Sequence, residues 1–355
     1  MATDIRPGSA PPAASDDGRT GSAVPATRRP VSGVAVGLLL AVGLLVLSVM
    51  VSLAVGSKAL SLGEVWTALT HPDDSYARTV MESRIPRTIL GVVAGASLAV
   101  AGALIQGITR NPLGDPGLLG VNAGAAAAVV TGTAFLGLGT AGVWAAIPGA
   151  FVAVAVVYVL GSGRRGVTPL RLVLAGAVIN AVLTAYIQAV SLTHPSAFDN
   201  YRFWVVGSLA GRGHDVIIAV LPVVVAGMVL ALLLIPGLNV LALGDETARA
   251  LGASTAVIRV GGAAAATLLC AAATAACGPI AFIGLAVPHM VRAVTGSDHR
   301  WLLPYCAVLG PVLLLTADIV GRVLVRPGEL MVGVVTAFLG APILMLSVRR
   351  LKGRM

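Results

Sequence analysis

Charge is what this sequence has least of. Asp, Glu, Lys and Arg make up 11% of its 355 residues, against roughly 25% in an ordinary soluble domain, while 57% are hydrophobic. A chain so poor in charge cannot keep its surface in water, so lipid is the expected solvent for most of it. Aromatic residues reach only 4%, and the net charge of +9 comes from basic residues scattered in short gaps between apolar runs. Nucleic-acid recognition needs basic residues gathered on a wet surface with stacking aromatics, so no nucleic-acid partner is expected. Cysteine is scarce too. Cys270, Cys277 and Cys306 all lie in apolar runs, where a thiol acts as a small hydrophobe, and no disulfide framework follows.

Catalytic motifs are missing as well. The chain has no Gly-rich phosphate loop ending in Lys-Ser/Thr, no His-Glu-x-x-His pair and no convergent Ser/His/Asp set. It is therefore expected to catalyse nothing, to bind no metal or cofactor of its own, and to draw energy from elsewhere. Ionisable residues inside apolar spans mark proton relays and ion coupling. Here only Asp318 lies clearly within one, with Arg322 one turn later, a spacing that lets the pair neutralise itself. That speaks against the rival class, an ion-coupled secondary transporter.

What the sequence does have is long apolar runs. A bilayer core about 30 Å thick takes roughly 20 helical residues, and runs of that kind fall near 34–55, 89–108, 117–138, 141–160, 169–192, 215–235, 256–276, 279–294, 302–321 and 330–348. The reading is an all-α bundle of about ten transmembrane helices spanning residues 33–355. Residues 1–32, rich in Pro, Gly, Ala and Ser, are read as a disordered cytoplasmic tail. The first run is longer than the roughly 7–15 apolar residues of a signal peptide and is read as a retained helix. With the amino terminus inside, 16 of the 24 basic residues fall on the cytoplasmic side, which supports both termini there.

Small residues recur every fourth position: Gly91, Gly95, Ala99, Ala103 and Gly107 in the second run, and Gly120, Gly124, Ala128 and Gly132 in the third. Such stripes let helix backbones approach closely. Asn111–Gly120 is loosely echoed by Gly278–Gly284 on the opposite side, as an inverted repeat would require.

Three places carry candidate function. The inner loop at 237–254 holds Gly244, Asp245, Glu246, Ala248, Arg249, Leu251 and Gly252. There Asp245 is placed to cap a short helix that Gly252 stops, with Ala248 and Leu251 as an apolar face for a cytosolic partner, or as a plain surface turn. The outer loop at 56–88 ends in Arg84 and Arg87, with Pro86 suited to the first turn of the next helix. Together with Arg322 these cations either receive carboxylates from a docking protein or anchor the chain at the interface. In the fifth run Asn180, Thr184, Gln188 and Ser191 share about 80° of arc at 100° per residue. They line a path for a hydrophilic solute or bond to neighbouring helices.

Taken together, Arg84-Ile-Pro-Arg-Thr88, Gly102-Ala-Leu-Ile-Gln106, Arg110-Asn-Pro-Leu-Gly-Asp-Pro-Gly-Leu-Leu-Gly120, the Gly244–Gly252 loop, Gly278-Pro-Ile-Ala-Phe-Ile-Gly284, Asp298-His-Arg300 and Ala317-Asp-Ile-Val-Gly-Arg322 resemble the FecCD permeases of bacterial ABC importers. The resemblance runs from about Val34 onward. It implies a ten-helix subunit of the bacterial cell (inner) membrane that passes an iron-siderophore inward, cobalamin or haem being the alternative. Its implied partners are a second permease subunit, two cytoplasmic ATPases that carry the ATP and Mg, and an extracytoplasmic solute-binding protein. The run from Asp115 to Gly124 looks closest to catecholate-siderophore permeases, which implies a heterodimer rather than a homodimer. By the same resemblance, residues 244–252 form the helix that couples to the ATPase. Arg84, Arg87 and Arg322 meet glutamates of the binding protein, and the fifth run lines the central path.

Overall fold

The structure, a computed structural model, describes residues 31–56, 61–70, 76–138, 144–162 and 169–352. The expected tail at 1–32 lies almost wholly outside them. Among the described residues there is no strand. The helices are α1 (Val31–Ala54), α2 (Leu62–Thr70), α3 (Tyr76–Thr109), α4 (Val121–Phe135), α5 (Ala146–Gly161), α6 (Pro169–Thr193), α7 (Pro195–Trp204), α8 (His214–Leu233), α9 (Ile235–Leu241), α10 (Asp245–Ala250), α11 (Thr255–Cys277), α12 (Ile283–Thr295), α13 (His299–Leu324) and α14 (Val332–Lys352). Six of them, α1, α3, α6, α8, α11 and α13, are long and apolar enough to cross a membrane, and α4, α5, α12 and α14 are shorter apolar helices. These correspond one for one with the ten expected runs.

The centre is α3, which packs against α13, α11 and α12, while α4, α5 and α6 form a neighbouring group joined to it through α11. Glycines in and beside the small-residue stripes account for this. A Cβ built on Gly102 would collide with the Gly284 backbone, one on Gly95 with the backbone of Gly310 and Pro311, and one on Gly124 with Ala153 and the Gly149 carbonyl. Each absent side chain is where another helix's backbone passes. Where lipid removes most of the hydrophobic drive, this close approach holds helices together. The two echoed segments are both helix breaks. A left-handed residue, Gly120 in one and Phe282 in the other, precedes α4 and α12 respectively.

One expectation needs correction. Residues 56–88 are not an open loop, because α2 and the first turns of α3 lie within them. Ser61 and Glu64 form a reciprocal capping box at the start of α2, with Ser61 N donating to Glu64 Oε2 at 2.7 Å and Glu64 N to Ser61 Oγ at 3.2 Å. Pro86 sits inside α3 rather than in its first turn. The helix continues through a residue that cannot donate because its early turns are held from outside. Met81 is buried against Leu53, Ala54, Val80 and Ile85, and Arg84 ties this segment to α1.

Candidate functional site

The candidate side chains for docking and coupling collect at the two ends of the bundle. At the end where α1 stops, arginines supply the hydrogen-bond donors that a helix C-terminus lacks. Arg322 Nη1 donates to the Ser52 carbonyl at 2.9 Å, Arg84 Nη1 to those of Leu53 and Ala54 at 2.8 and 3.0 Å, and Arg326 Nη2 to that of Gly56 at 2.8 Å. Arg322 also bonds Ser52 Oγ at 2.9 Å, and Ser52 Oγ meets Thr88 Oγ1 at 2.8 Å. Asp318 closes the group: it pairs with Arg322 as its spacing foretold, at 3.1 Å, and with Arg87 at 2.8 Å. Arg87 reaches on to Glu329 at 2.7 Å. The Arg87 contacts join residues more than 230 positions apart, which no local pattern reveals.

The structure therefore does bring Arg84, Arg87 and Arg322 together, but it turns them inward. Arg84 and Arg322 are buried, and the Arg87 side chain keeps 13% exposure. A cleft of about 170 Å³ lined by Gly56, Tyr76, Ser83, Arg84, Arg87 and Glu329 opens beside them.

At the opposite end lies α10. Asp245 does not cap it, since Gly244, at φ +113°, holds that position. Instead both Asp245 carboxylate oxygens accept from Arg259 Nη2 at 2.8 Å, with Arg110 Nη1 at 3.6 Å. Arg259 sits in the first turns of α11 with a side chain only 10% exposed, and a cation so placed needs this partner. The expected stop is present. Gly252 adopts φ +78°, its N–H donates to the Arg249 carbonyl, and Ala253 N donates to that of Ala248, both at 2.9 Å, which is the Schellman arrangement. The expected apolar face is split, however. Ala248 is fully buried against the bundle, whereas Leu251, one residue past the last helical one, is 63% exposed. Leu251 N still donates to the Thr247 carbonyl at 3.0 Å, so the helical spacing holds and the bundle covers only the Ala248 side of the pair. Glu246 and Arg249 are exposed with Leu251.

The polar stripe of α6 also divides. Asn180 Nδ2 donates to the Gly176 carbonyl at 2.9 Å and to the Gly117 carbonyl at 3.2 Å, so it ties α6 to the turn before α4. Ser191 Oγ is enclosed with no partner among the described residues. Thr184 and Gln188 are exposed, on a helix with an open face that also presents Leu174, Val178 and Val182.

Near α10, sequence reading missed a second polar network. Arg292 Nη1 donates to Gln106 Oε1, and Gln106 Nε2 to the Gly284 carbonyl at 3.2 Å, locking α3 to the break before α12. Asn239 donates to Asp298 Oδ1 at 2.7 Å and accepts from the His299 backbone N–H at 2.8 Å. One signal was legible, because Asp298 followed by a long apolar run marks the start of α13. Its side chain accepts from Arg300 N at 2.9 Å. No group of three His, Cys, Asp or Glu residues converges to hold a metal among the described residues. The three cysteines are buried and unbridged.

Known proteins match this chain over most of its length. The ferric enterobactin transport system permease protein FepD of Escherichia coli is 48% identical over 319 residues, 88% of this chain and 94% of that protein. The hemin transport system permease protein HmuU of Yersinia pestis is 36% identical, over 84% of this chain and 91% of that one. A solved metal-chelate type ABC transporter, in an inward-facing conformation, superposes with a TM-score of 0.78 at 27% identity, covering 89% of this chain and 99% of the other. The match to the FecCD transport family extends over residues 44–350, from within α1 to within α14, and so takes in both charged ends, α6 and α10: this chain belongs to the FecCD transport family and is a multi-pass membrane transport protein.

Proposed function

We propose that this chain is the permease subunit of an ATP-driven importer that carries an iron-siderophore complex into the cytoplasm. The observation that carries the reading is the 48% identity, over 94% of its length, with a ferric enterobactin permease. In this reading α10 is the coupling element. Its stop at Gly252 and the exposed Glu246, Arg249 and Leu251 offer a short rigid surface to a cytoplasmic ATPase, which holds the ATP and Mg. The Asp245 pairs with Arg259 and Arg110 pass its movement to α11 and α3.

The Arg-lined cleft faces the extracytoplasmic binding protein. Three guanidiniums, of Arg84, Arg87 and Arg322, line it with the carboxylate of Glu329, and Asp318 pairs with two of them; the surplus of positive charge suits acidic side chains. A second permease subunit, non-identical as in the heterodimers of similar importers, covers the open face of α6. The solute passes between the two subunits beside Thr184 and Gln188. Residues 33–355 act as one membrane domain with both termini in the cytoplasm.

The test is uptake of iron-labelled ferric-siderophore by cells lacking this gene, complemented by the intact chain or by Leu251→Asp, with haem and cobalamin uptake alongside. Uptake restored by the intact chain alone supports the reading. Lost haem or cobalamin uptake with normal iron uptake would replace the substrate, and no defect at all would overturn the importer.

A further inference from the structure

Between the C-terminal end of α3 and the start of α13, at the α10 end, lies a cavity of about 320 Å³ walled by Gln106, Gly107, Arg110, Arg292, Ser297 and His299. Two cations and no carboxylate line it. The Arg110 side chain is 48% exposed, and its nearest acid, Asp245 at 3.6 Å, is already held more closely by Arg259. Arg292 is bonded to the neutral amide of Gln106.

The remaining wall can be read from its hydrogen bonds. The Asp298 carboxylate can only accept, so the Asn239 group 2.7 Å from it is the amide NH₂. That leaves Asn239 Oδ1 facing His299, where it accepts from the backbone N–H and, at 2.9 Å, from Nδ1. His299 Nδ1 therefore carries a proton, and in the neutral ring Nε2 presents a lone pair. The His299 residue is only 3% exposed and its Nε2 has no partner among the described residues. It lies against Gly107, where any Cβ would crowd it. A buried acceptor left unmatched is costly, and this wall is short of one donor beside two cations.

We propose that the cavity binds a phosphate-type oxyanion that also carries an O–H, held by Arg292 and Arg110 with the hydroxyl turned toward His299. Two sources share that chemistry: the phosphoglycerol headgroup of an anionic lipid, reached because the cavity lies at the ends of spans where basic pockets take such headgroups, and free hydrogen phosphate. Either would tie α3, α12 and α13 together beside α10.

The experiment uses the full-length chain purified in a mild detergent. Retention of phosphatidylglycerol is read by native mass spectrometry and binding of radiolabelled inorganic phosphate by equilibrium dialysis. Arg292→Gln and Arg110→Gln are each expected to weaken binding about tenfold or more, the scale of one lost charge-assisted hydrogen bond. Arg300→Gln, an exposed cation absent from the cavity wall, is expected to change nothing. Arg110 is at the surface, so its variant reports on binding even where Arg292→Gln disturbs packing. Retention of lipid alone or phosphate alone identifies the source. Binding of neither, or binding that both variants leave intact, would overturn the proposal.

Discussion

Asp318 Oδ1 lies 2.8 Å from Arg87 Nη2, joining α13 to α3 across an interface where the aspartate is only 1% exposed. Its other oxygen holds Arg322 at 3.1 Å, so one carboxylate balances two guanidiniums. Removing one member of a buried ion pair costs about 3–5 kcal/mol, because the remaining charge is stranded. Asp318→Asn strands Arg322 and leaves Arg87 with Glu329 alone. It is expected to lower the unfolding temperature of the purified protein sharply, whereas Glu329→Gln, at the 32% exposed outer pair, should cost under about 1 kcal/mol. Equal losses for the two would remove Asp318 from this central role.

Gly102 and Gly284 make a different kind of contact, backbone on backbone, since the atoms nearest a Cβ on Gly102 are those of the Gly284 main chain. Backbone cannot rotate away as a side chain can. Gly102→Val should therefore force α3 from α12 and break the Gln106 bond to the Gly284 carbonyl, costing upward of about 4 kcal/mol. Gly43 of α1 has nothing within 4 Å of its would-be Cβ, so Gly43→Ala should leave stability unchanged or slightly raised. Monodispersity on size-exclusion after mild heating distinguishes them. A Gly102→Val protein as stable as Gly43→Ala would mean that the helices are not packed this closely.

How much of this was legible in advance follows from the range of each interaction. The ten apolar runs and the small-residue stripes are periodic over a few turns, so Gly95 and Gly124 were readable as contact positions, whereas Gly102 lies off the stripe. The Gly252 stop and the Asp318–Arg322 pair are equally local. The inward turn of Arg84 was not legible, because its acceptors are the last carbonyls of another helix 30 residues earlier. Nor was the Asp245–Arg259 pair, which replaces the cap that the sequence suggested. Ala248 and Leu251 were assigned to one face by helical spacing, but the bundle covers only the Ala248 side of it, which spacing alone does not reveal. Local periodicity locates elements, while the partner of each buried charge depends on packing.

The division within α10 separates folding from coupling. Ala248→Asp would bury an unpaired carboxylate and should destabilise the protein by several kcal/mol, so lost transport in that variant says nothing about a partner. Leu251→Asp alters an exposed residue. Its stability should stay within about 0.5 kcal/mol of the parent, with stimulation of ATP hydrolysis by the assembled transporter lost. At Gly252 the positive φ predicts that Asn is tolerated better than Val. Normal coupling in Leu251→Asp would move the ATPase contact away from this helix.

On α6 the same logic distinguishes packing from path. Asn180→Leu forfeits the bonds to the Gly117 and Gly176 carbonyls and should cost about 1–3 kcal/mol. Thr184→Val and Gln188→Leu change exposed side chains and should leave the melting of the isolated chain within about 0.5 kcal/mol of the parent. If these two residues border the path, the double variant should take up iron-siderophore poorly while assembling normally, since a polar solute would then meet an unbroken apolar wall. If they only meet the second subunit, the loss should appear as failed assembly on native gels. Normal uptake with normal assembly would place the path elsewhere, leaving the polar residues of α6 to helix packing.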